Sequence, residues 1–408
     1  MRLKPDPAIL RALIYGKTTF VTQGFNLVTI SIIIRALGND QFGLYQYALG
    51  LIGVALIVGH VGTDAIAFRE FSMPVRHACG ALPRVLLIRL GGISASLAVM
   101  WLLVILGIFP VPPGLFGAVA ATATVESFLR VGNGWHRARH KAWLDFWTST
   151  ARSVFVLALV IIIVPCHPNP FGIALAYGTG AIVILLSLLW QWRRILRVGW
   201  KIRYPWRHLL DAAPAFFFLD LTGNLIGVIP IFIMGYHHAF AEIGRYSVYS
   251  KYLAPFALAA TLYVQSLQPS LVNAFHRGTP VRPLIRSGAG VVTGAGLLGS
   301  LCCLSIGAML VYYLGHQQPL DIQLLCILAV FPLVFGWASL AGSVLGSARK
   351  ERSFIMSRSM GFIACCLISI ISWEKGAVAA AWAIIAAFSI ESLSGALFAK
   401  SLCPKNAP

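Results

Sequence analysis

Long apolar stretches recur along the whole chain and are separated by short polar segments. An α-helix needs about 20 apolar residues to cross a bilayer, so each stretch predicts one membrane-spanning helix. About twelve spans are predicted, over residues 13–34, 46–68, 85–109, 114–131, 146–165, 171–190, 212–236, 246–272, 287–314, 321–345, 354–372 and 376–398. The pattern therefore predicts an all-α polytopic membrane protein.

Composition supports this class, because 58% of the 408 residues are apolar and only 11% are charged. A net charge of +19 is also typical of nucleic-acid-binding proteins. Here, however, the basic residues lie in short loops between apolar stretches rather than on a soluble basic surface. We therefore expect no nucleic-acid partner, and we interpret the charge as a signal of topology and of contact with anionic phospholipids. No cofactor or metal site is predicted, and the eight cysteines are interpreted as small buried hydrophobic residues.

Lysine and arginine are distributed unevenly between the two sides of the predicted membrane. When the twelve spans are followed in order, 27 of the 32 basic residues fall on the side of the two termini and four fall on the other. The remaining one, Arg152, lies inside a span. Cytoplasmic loops accumulate Lys and Arg, so both termini are predicted to be cytoplasmic.

Two pairs of similar segments indicate an internal duplication. The segment 42–47 resembles 243–249 at an offset of 201 residues, and the basic turn 139–141 resembles 349–352. They predict two six-helix halves of the same orientation, residues 1–208 and 209–408. Parallel repeats of this kind place a central substrate cavity between the halves, near the membrane midplane.

Charged side chains inside the spans are candidate cavity residues, because each costs about 2.5–3.5 kcal/mol at the helix centre unless it is hydrated or paired. Asp220 is predicted to lie near the midplane on the same helical face as Asn224. The alternative for Asp220 is a structural ion pair. Arg152 and Glu391 are also placed deep in their helices, where they are expected to pair with each other or with Asp220. Glu126 is expected nearer the inner surface.

Uncharged polar residues on the first helix are a further candidate cavity surface. Thr19, Thr22 and Asn26 share one face, and such residues have little reason to face lipid. Lys17 points away from this face and either lines the cavity or extends to the interface. Lys251 lies on a polar part of the eighth span, among tyrosines that suit either sugar contacts or an interfacial aromatic belt.

A resemblance to a known family is carried by residues 32–45, Ile-Ile-Ile-Arg-Ala-Leu-Gly-Asn-Asp-Gln-Phe-Gly-Leu-Tyr, and by residues 62–70, Gly-Thr-Asp-Ala-Ile-Ala-Phe-Arg-Glu. These segments resemble the opening signature of the polysaccharide transporter family. Its members are Wzx-like flippases of lipid-linked oligosaccharides, in the MOP superfamily that also contains the MATE exporters. The resemblance is specific over about residues 20–70 and implies a MATE-like or MurJ-like arrangement of helices around the cavity.

The resemblance implies a secondary transporter of the bacterial inner membrane, and not an enzyme. Its substrate would be an undecaprenyl-diphosphate-linked oligosaccharide, a repeat unit of O-antigen or exopolysaccharide, moved to the outer leaflet by alternating access. Arg152, with Lys251, Arg35 and Lys17, would attract the diphosphate. Asp220 or Glu391 would couple transport to a proton or sodium gradient. A polysaccharide polymerase and glycosyltransferases would be partners in lipopolysaccharide or exopolysaccharide biosynthesis.

Two other functions stay open at this stage. A MATE-like exporter of drugs or other small molecules has the same architecture, but a cavity for organic cations should be acidic, whereas the predicted spans carry acids and bases in similar number. A membrane glycan polymerase is less favoured, because the predicted exported loops are too short to build an active site.

Overall fold

A computed structural model describes residues 7–139, 141–205, 209, 213–277, 279–314, 320–348 and 350–400 of the chain. Within these ranges it leaves undescribed the side chains of 7–15, 17, 18, 64–66, 68, 69, 142, 213, 215, 216 and 269.

The described chain consists of helices joined by short turns. The helices of the amino-terminal part are α1 Pro7–His60, α2 Thr63–Ser72, α3 Val75–Ile105, α4 Pro113–Ala138, α5 Ala142–Cys166, α6 Pro170–Lys201 and α7 Ala213–Tyr236. They are followed by α8 Phe240–Leu253, α9 Leu258–Arg277, α10 Arg282–Cys302, α11 Ala308–Leu314, α12 Ile322–Ala329, α13 Phe331–Ser347, α14 Glu351–Ile371 and α15 Ala377–Lys400. A 3₁₀ turn links α8 to α9, and a π turn links α10 to α11.

Ten helical segments of the described chain are long and apolar enough to cross a membrane. One of them, Thr19–His60 within α1, covers most of the first two predicted spans. The eighth predicted span corresponds to α8, the 3₁₀ turn and α9, which is not among the ten. Large apolar side chains such as Leu186, Ile162 and Leu301 are exposed along these helices, as expected for surfaces that face lipid. The prediction of an all-α multi-pass membrane protein is confirmed.

The first two spans are joined by a break of one residue. The sequence predicted a connection over 35–45, but α1 stays helical on both sides of Gly38, which alone has a non-helical backbone at φ 70° and ψ 179°. Only glycine adopts this conformation readily, because a β-carbon clashes with the backbone there. The second part of α1 then ends at His60, and a separate short helix, α2, follows.

The chain divides into two compact units. One contains Lys17–Asn224 and Gly235–Gly244. The other contains Leu225–Met234 and the chain from Arg245 on, together with the beginning of α1 up to Gly16. The predicted halves 1–208 and 209–408 concern the internal repeat, and they stay a prediction.

Close packing against α6 fixes the positions of α4 and α5 in the first unit. A β-carbon on Gly180 of α6 would lie 2.7 Å from the side chain of Val156 of α5. On α4, the Thr122 hydroxyl donates a 2.9 Å hydrogen bond to the main-chain oxygen of Ala174 of α6. Small residues and interhelical hydrogen bonds are the usual means of joining helices in lipid. Here they hold two polar helix faces next to each other.

Candidate functional site

A polar cavity lies between α4 and α5 in the first unit. It has a volume of about 80 Å³, which is room for a few water molecules or one small polar group. Its polar lining consists of two arginines, one carboxylate, one amide and two hydroxyls, and its apolar lining consists of two side chains. The lining residues are Glu126, Leu129, Arg130, Asn133, Thr148, Ser149, Arg152 and Ile184.

Helical spacing explains why these side chains converge. On α4, Glu126, Arg130 and Asn133 follow each other at intervals of four and three residues, which places them on one face. On α5, Thr148 and Arg152 are four residues apart and also share a face. The cavity is therefore the meeting of two polar helix faces, with an apolar wall from α6.

An ion pair crosses this cavity. Nη2 of Arg152 donates a hydrogen bond to Oε1 of Glu126. The two side chains are 27% and 24% exposed, so the pair is accessible from the cavity rather than sealed in the protein core. Nε of Arg152 is buried and has no hydrogen-bond partner among the described residues. Arg130 adds a second guanidinium, so the lining has one more positive charge than negative charge.

Weaker hydrogen bonds join the two faces beside the ion pair. The amide of Asn133 donates to the Ser149 hydroxyl at 3.3 Å. The Thr148 hydroxyl, which is 2.8 Å from the main-chain oxygen of Leu144, also lies 3.3 Å from the side-chain oxygen of Asn133. Long, neutral hydrogen bonds of this kind are weaker than charge-assisted ones. The amide and the hydroxyls are therefore the lining groups that a polar ligand displaces most readily.

One prediction about these charges was wrong. Arg152 was expected to pair with Glu391 or Asp220, but it pairs with Glu126. Glu126 was expected nearer the inner surface in a hydrated or paired role, and the structure shows it paired. Its depth in the membrane stays a prediction, and α4 continues to Ala138, about 18 Å beyond Glu126 at 1.5 Å per residue.

Two tyrosines lie near the ion pair. Tyr45 of α1 and Tyr177 of α6 are both close enough to Glu126 and Arg152 for electrostatic interaction. Tyr45 is 5% exposed. Phenol groups beside a charged pair extend the polar region from the cavity towards α1 and α6.

The predicted face of α1 is half-buried. Thr19, Thr22 and Asn26 are all of intermediate exposure, and the Thr22 hydroxyl donates to the main-chain oxygen of Thr19 at 3.0 Å. Arg35 is exposed, three residues before the break at Gly38. The side chain of Lys17 lies outside the described residues.

Asp220 and Asn224 lie one turn apart on α7. Asn224 is exposed, Asp220 is half-buried, and the Asn224 amide donates to the main-chain oxygen of Asp220 at 2.7 Å. This shared face agrees with the predicted spacing.

The two predicted site residues of the second unit differ in their surroundings. Glu391 of α15 is 2% exposed and pairs with Arg358 of α14 at 3.3 Å. The Ser357 hydroxyl donates to the main-chain oxygen of Glu391 at 2.7 Å. Lys251 of α8 is exposed. The structure thus brings Glu391 to Arg358 rather than to Arg152.

Of the residues that line the cavity, only Arg152 was predicted as a cavity residue. Besides Glu126, sequence reasoning missed four polar lining residues, namely Arg130, Asn133, Thr148 and Ser149. A signal was present, because polar residues recur at helical spacing on two successive spans. The fourth predicted span ended at residue 131, however, and the fifth began at 146. Asn133 was therefore assigned to a loop, and Arg130 and Thr148 to the ends of their helices.

Comparisons with known proteins agree on the fold. No protein-family profile matches the sequence, and no curated protein matches it. Among solved structures, a MATE transporter of Vibrio cholerae matches with a TM-score of 0.67 and 17% identity, over 98% of each chain. The MATE multidrug transporter DinF-BH matches with a TM-score of 0.68 and 13% identity, over 98% of this chain and 95% of that one.

A third solved structure is a MOP superfamily transporter of Pyrococcus furiosus. It matches with a TM-score of 0.64 and 14% identity, over 97% of this chain and 95% of that chain. Its binding pocket is described as having reverse polarity, which suggests a different function for that protein. The chain therefore has the fold of the MATE transporters of the MOP superfamily.

Proposed function

We propose that this protein is a secondary transporter that moves an undecaprenyl-diphosphate-linked oligosaccharide across the bacterial inner membrane by alternating access. The observation that carries the proposal is the cavity between α4 and α5, which at about 80 Å³ has room for one small anionic group of such a substrate and not for the whole molecule. Its guanidinium groups, Arg130 and Arg152, outnumber its carboxylate, Glu126, and its remaining polar groups are hydroxyls and an amide. Such a lining suits an anionic, hydroxyl-rich ligand, because arginine binds phosphate and carboxylate oxygens strongly.

The fold is consistent with transport, since the solved structures that resemble the chain include MATE transporters. The resemblance of residues 32–45 and 62–70 to polysaccharide transporters supports a lipid-linked glycan as the substrate. The excess of basic residues in the predicted inner loops supports cytoplasmic termini and contact with anionic phospholipids. A proton or sodium ion would couple transport through Asp220 or Glu391, and a polymerase and glycosyltransferases would use or supply the glycan.

Export of organic cations is the second candidate, and the multidrug MATE structures of the same fold favour it. A cation site needs negative charge that is free to face the ligand. In the cavity between α4 and α5 the charges of Glu126 and Arg152 offset each other, which leaves the positive charge of Arg130 as the net charge of the lining. The solved MOP transporter with a pocket of reverse polarity is a precedent for binding pockets of different polarity in one fold. These observations favour the anionic substrate.

Deletion of the gene tests the proposal most directly. We expect lipid-linked oligosaccharide to accumulate on the cytoplasmic leaflet, measured by its accessibility to a glycan-modifying reagent in oriented vesicles. Accumulation of unpolymerised units on the outer leaflet would indicate a polymerase instead. Unchanged glycan with increased sensitivity to cationic dyes would indicate a drug exporter.

Complementation of the deletion strain then tests the cavity. Arg152→Ala removes a charge-assisted contact worth about 1.5–3 kcal/mol, so transport should fall about tenfold or more at normal protein levels. Asp220→Asn should also abolish transport if Asp220 is the coupling residue. Arg286→Ala, at an exposed arginine at the start of α10, is the matched control and should transport normally. Normal transport by both Arg152→Ala and Asp220→Asn would exclude these residues from the transport site.

A further inference from the structure

Two glycines face each other where the second part of α1 meets the start of α8. A β-carbon built on Gly43 would overlap the main-chain oxygen of Phe240 and lie 2.9 Å from the nitrogen of Gly244. A β-carbon built on Gly244 would overlap the main-chain oxygen of Asn39 and lie 3.0 Å from its α-carbon. The two backbones are therefore in direct contact, and no side chain fits between them.

This contact is reciprocal. Gly43 meets the carbonyl of Phe240, and Gly244 meets the carbonyl of Asn39. Each carbonyl belongs to the residue one helical turn before the opposite glycine. The offset of 201 residues that relates the repeated sequence segments also relates Gly43 to Gly244 and Asn39 to Phe240. Gly43 contacts Phe240, and the residues equivalent to them in the other repeat, Gly244 and Asn39, contact each other in the same way. Such a reciprocal contact is typical of two-fold pairing.

Aromatic packing surrounds the contact. The ring of Tyr47 is fully buried, and a β-carbon on Gly235 would overlap it. The same ring lies 5.8 Å from the ring of Phe240, between centroids. The junction is therefore a packed closure rather than a loose crossing of two helix ends.

We propose that this junction of Asn39, Gly43, Phe240 and Gly244 is the gate that closes the exported side of the transporter. The inference rests on the proposed function, because alternating access requires the two repeats to separate on one side at a time. Both segments follow odd-numbered predicted spans, the first and the seventh, so the predicted topology places them on the exported side. Contacts between carbonyl oxygens and glycine α-carbons are weak, so the backbone part of this seal separates at low cost.

Alanine substitution tests the gate without any substrate. Gly43→Ala and Gly244→Ala each place a methyl group into a filled contact, which overpacks it. We expect each variant to reduce the population of the closed form about tenfold. Gly53→Ala in α1 and Gly227→Ala in α7 are matched controls, because nothing lies within 4 Å of a β-carbon at either position.

The population is measured by the distance between spin labels on cysteines placed at the exposed positions Gln41 and Ala241, in a background without the native cysteines. In the parent protein we expect a short and a long distance. Both glycine variants should shift the population to the long one, and both controls should not. A single distance in the parent and in both glycine variants would overturn the proposal, as would an equal shift in the controls.

Cross-linking the same cysteine pair with a short reagent gives a second readout. The locked protein should fail to move lipid-linked glycan, whereas the reduced protein should move it. If the spin labels show two distances but neither the cross-linked nor the reduced protein moves the glycan, the gate is supported and the proposed substrate is wrong. If the locked protein transports as well as the reduced one, the junction is not a gate.

Discussion

Single charges inside the helices are explained by their partners on neighbouring helices. The pairs Glu126 with Arg152 and Arg358 with Glu391 each join two successive helices in the described chain. Burying one such charge alone is expensive, and pairing offsets much of that cost. In this protein a charged residue within a span therefore indicates a specific contact between two helices as well as a candidate contact with a ligand.

A double-mutant cycle on Glu126 and Arg152 tests this pairing. Glu126→Gln and Arg152→Gln each leave an uncompensated charge and should lower the free energy of unfolding by about 1–3 kcal/mol, less than for a fully buried pair because the side chains are a quarter exposed. The double variant should cost less than the sum of the single variants, with a coupling energy of about 1–2 kcal/mol. Denaturant titration in mixed micelles measures these energies. Additive effects would show that the pair contributes nothing.

Arg84 illustrates a different role for a buried arginine. Its guanidinium donates to the main-chain oxygens of Gly199 and Ile202, the latter at 2.8 Å, and so caps the carboxyl end of α6. Arg84→Ala removes the guanidinium donor from both carbonyl oxygens, of which that of Gly199 keeps the N–H of Ile202, and should destabilise the protein by about 1–3 kcal/mol. Thermal unfolding in detergent measures the effect, with Arg203→Ala as the control at an exposed arginine nearby. An equal loss in the control would argue against the cap.

At the scale of helices, hydrophobic patterning predicted the spans well but located their ends poorly. The apolar stretches around Gly38 predicted two helices correctly, because apolar runs alone determine where a chain can cross lipid. The connection between them was predicted as a loop of several residues. One glycine at positive φ is enough to redirect a helix. The polar residues after Gly38 predicted an interruption, but they did not reveal that the helix resumes at the next residue.

Glycine-to-alanine substitutions in α1 test the break. At φ 70° and ψ 179° an alanine is strained by about 1–3 kcal/mol, even though nothing lies within 4 Å of its β-carbon. Gly38→Ala should therefore lower the unfolding temperature by several degrees. Gly24→Ala has equally open surroundings but a helical backbone, so it should be neutral or stabilise the helix by about 0.5–1 kcal/mol. Equal effects of the two substitutions would contradict a strained break at Gly38.

The candidate site was only partly predictable for the same reason. Arg152 was correctly singled out as a charge within a span, because the free-energy cost of a charge in the bilayer core is enough to mark such a residue. The ion-pair partner of Arg152 depends on which helices pack together and on how they are shifted along their axes. Neither follows from the hydrophobic periodicity of the sequence. The predicted end of the fourth span was seven residues short of Ala138, so Asn133, which faces Arg152 across the cavity, was assigned to a loop.

For the whole molecule, the distribution of positive charge determines the predicted orientation. The fold itself does not distinguish the cytoplasmic side from the exported side. Lys141 and Arg203 are exposed near the ends of α5 and α6, in predicted cytoplasmic connections. Gln41 is exposed in the predicted exported connection. Labelling at these three positions therefore measures directly which side of the membrane each connection faces.

Labelling of single cysteines from one side of the membrane tests the orientation. Lys141→Cys and Arg203→Cys should resist a membrane-impermeant maleimide added to intact cells and react after permeabilisation, because Lys and Arg are retained in the cytoplasm. Gln41→Cys should react in intact cells. The reverse pattern would invert the topology and would place the Gly43 and Gly244 junction on the cytoplasmic side. The spin-label distances would then describe a cytoplasmic gate, so this measurement decides which leaflet a closed junction faces.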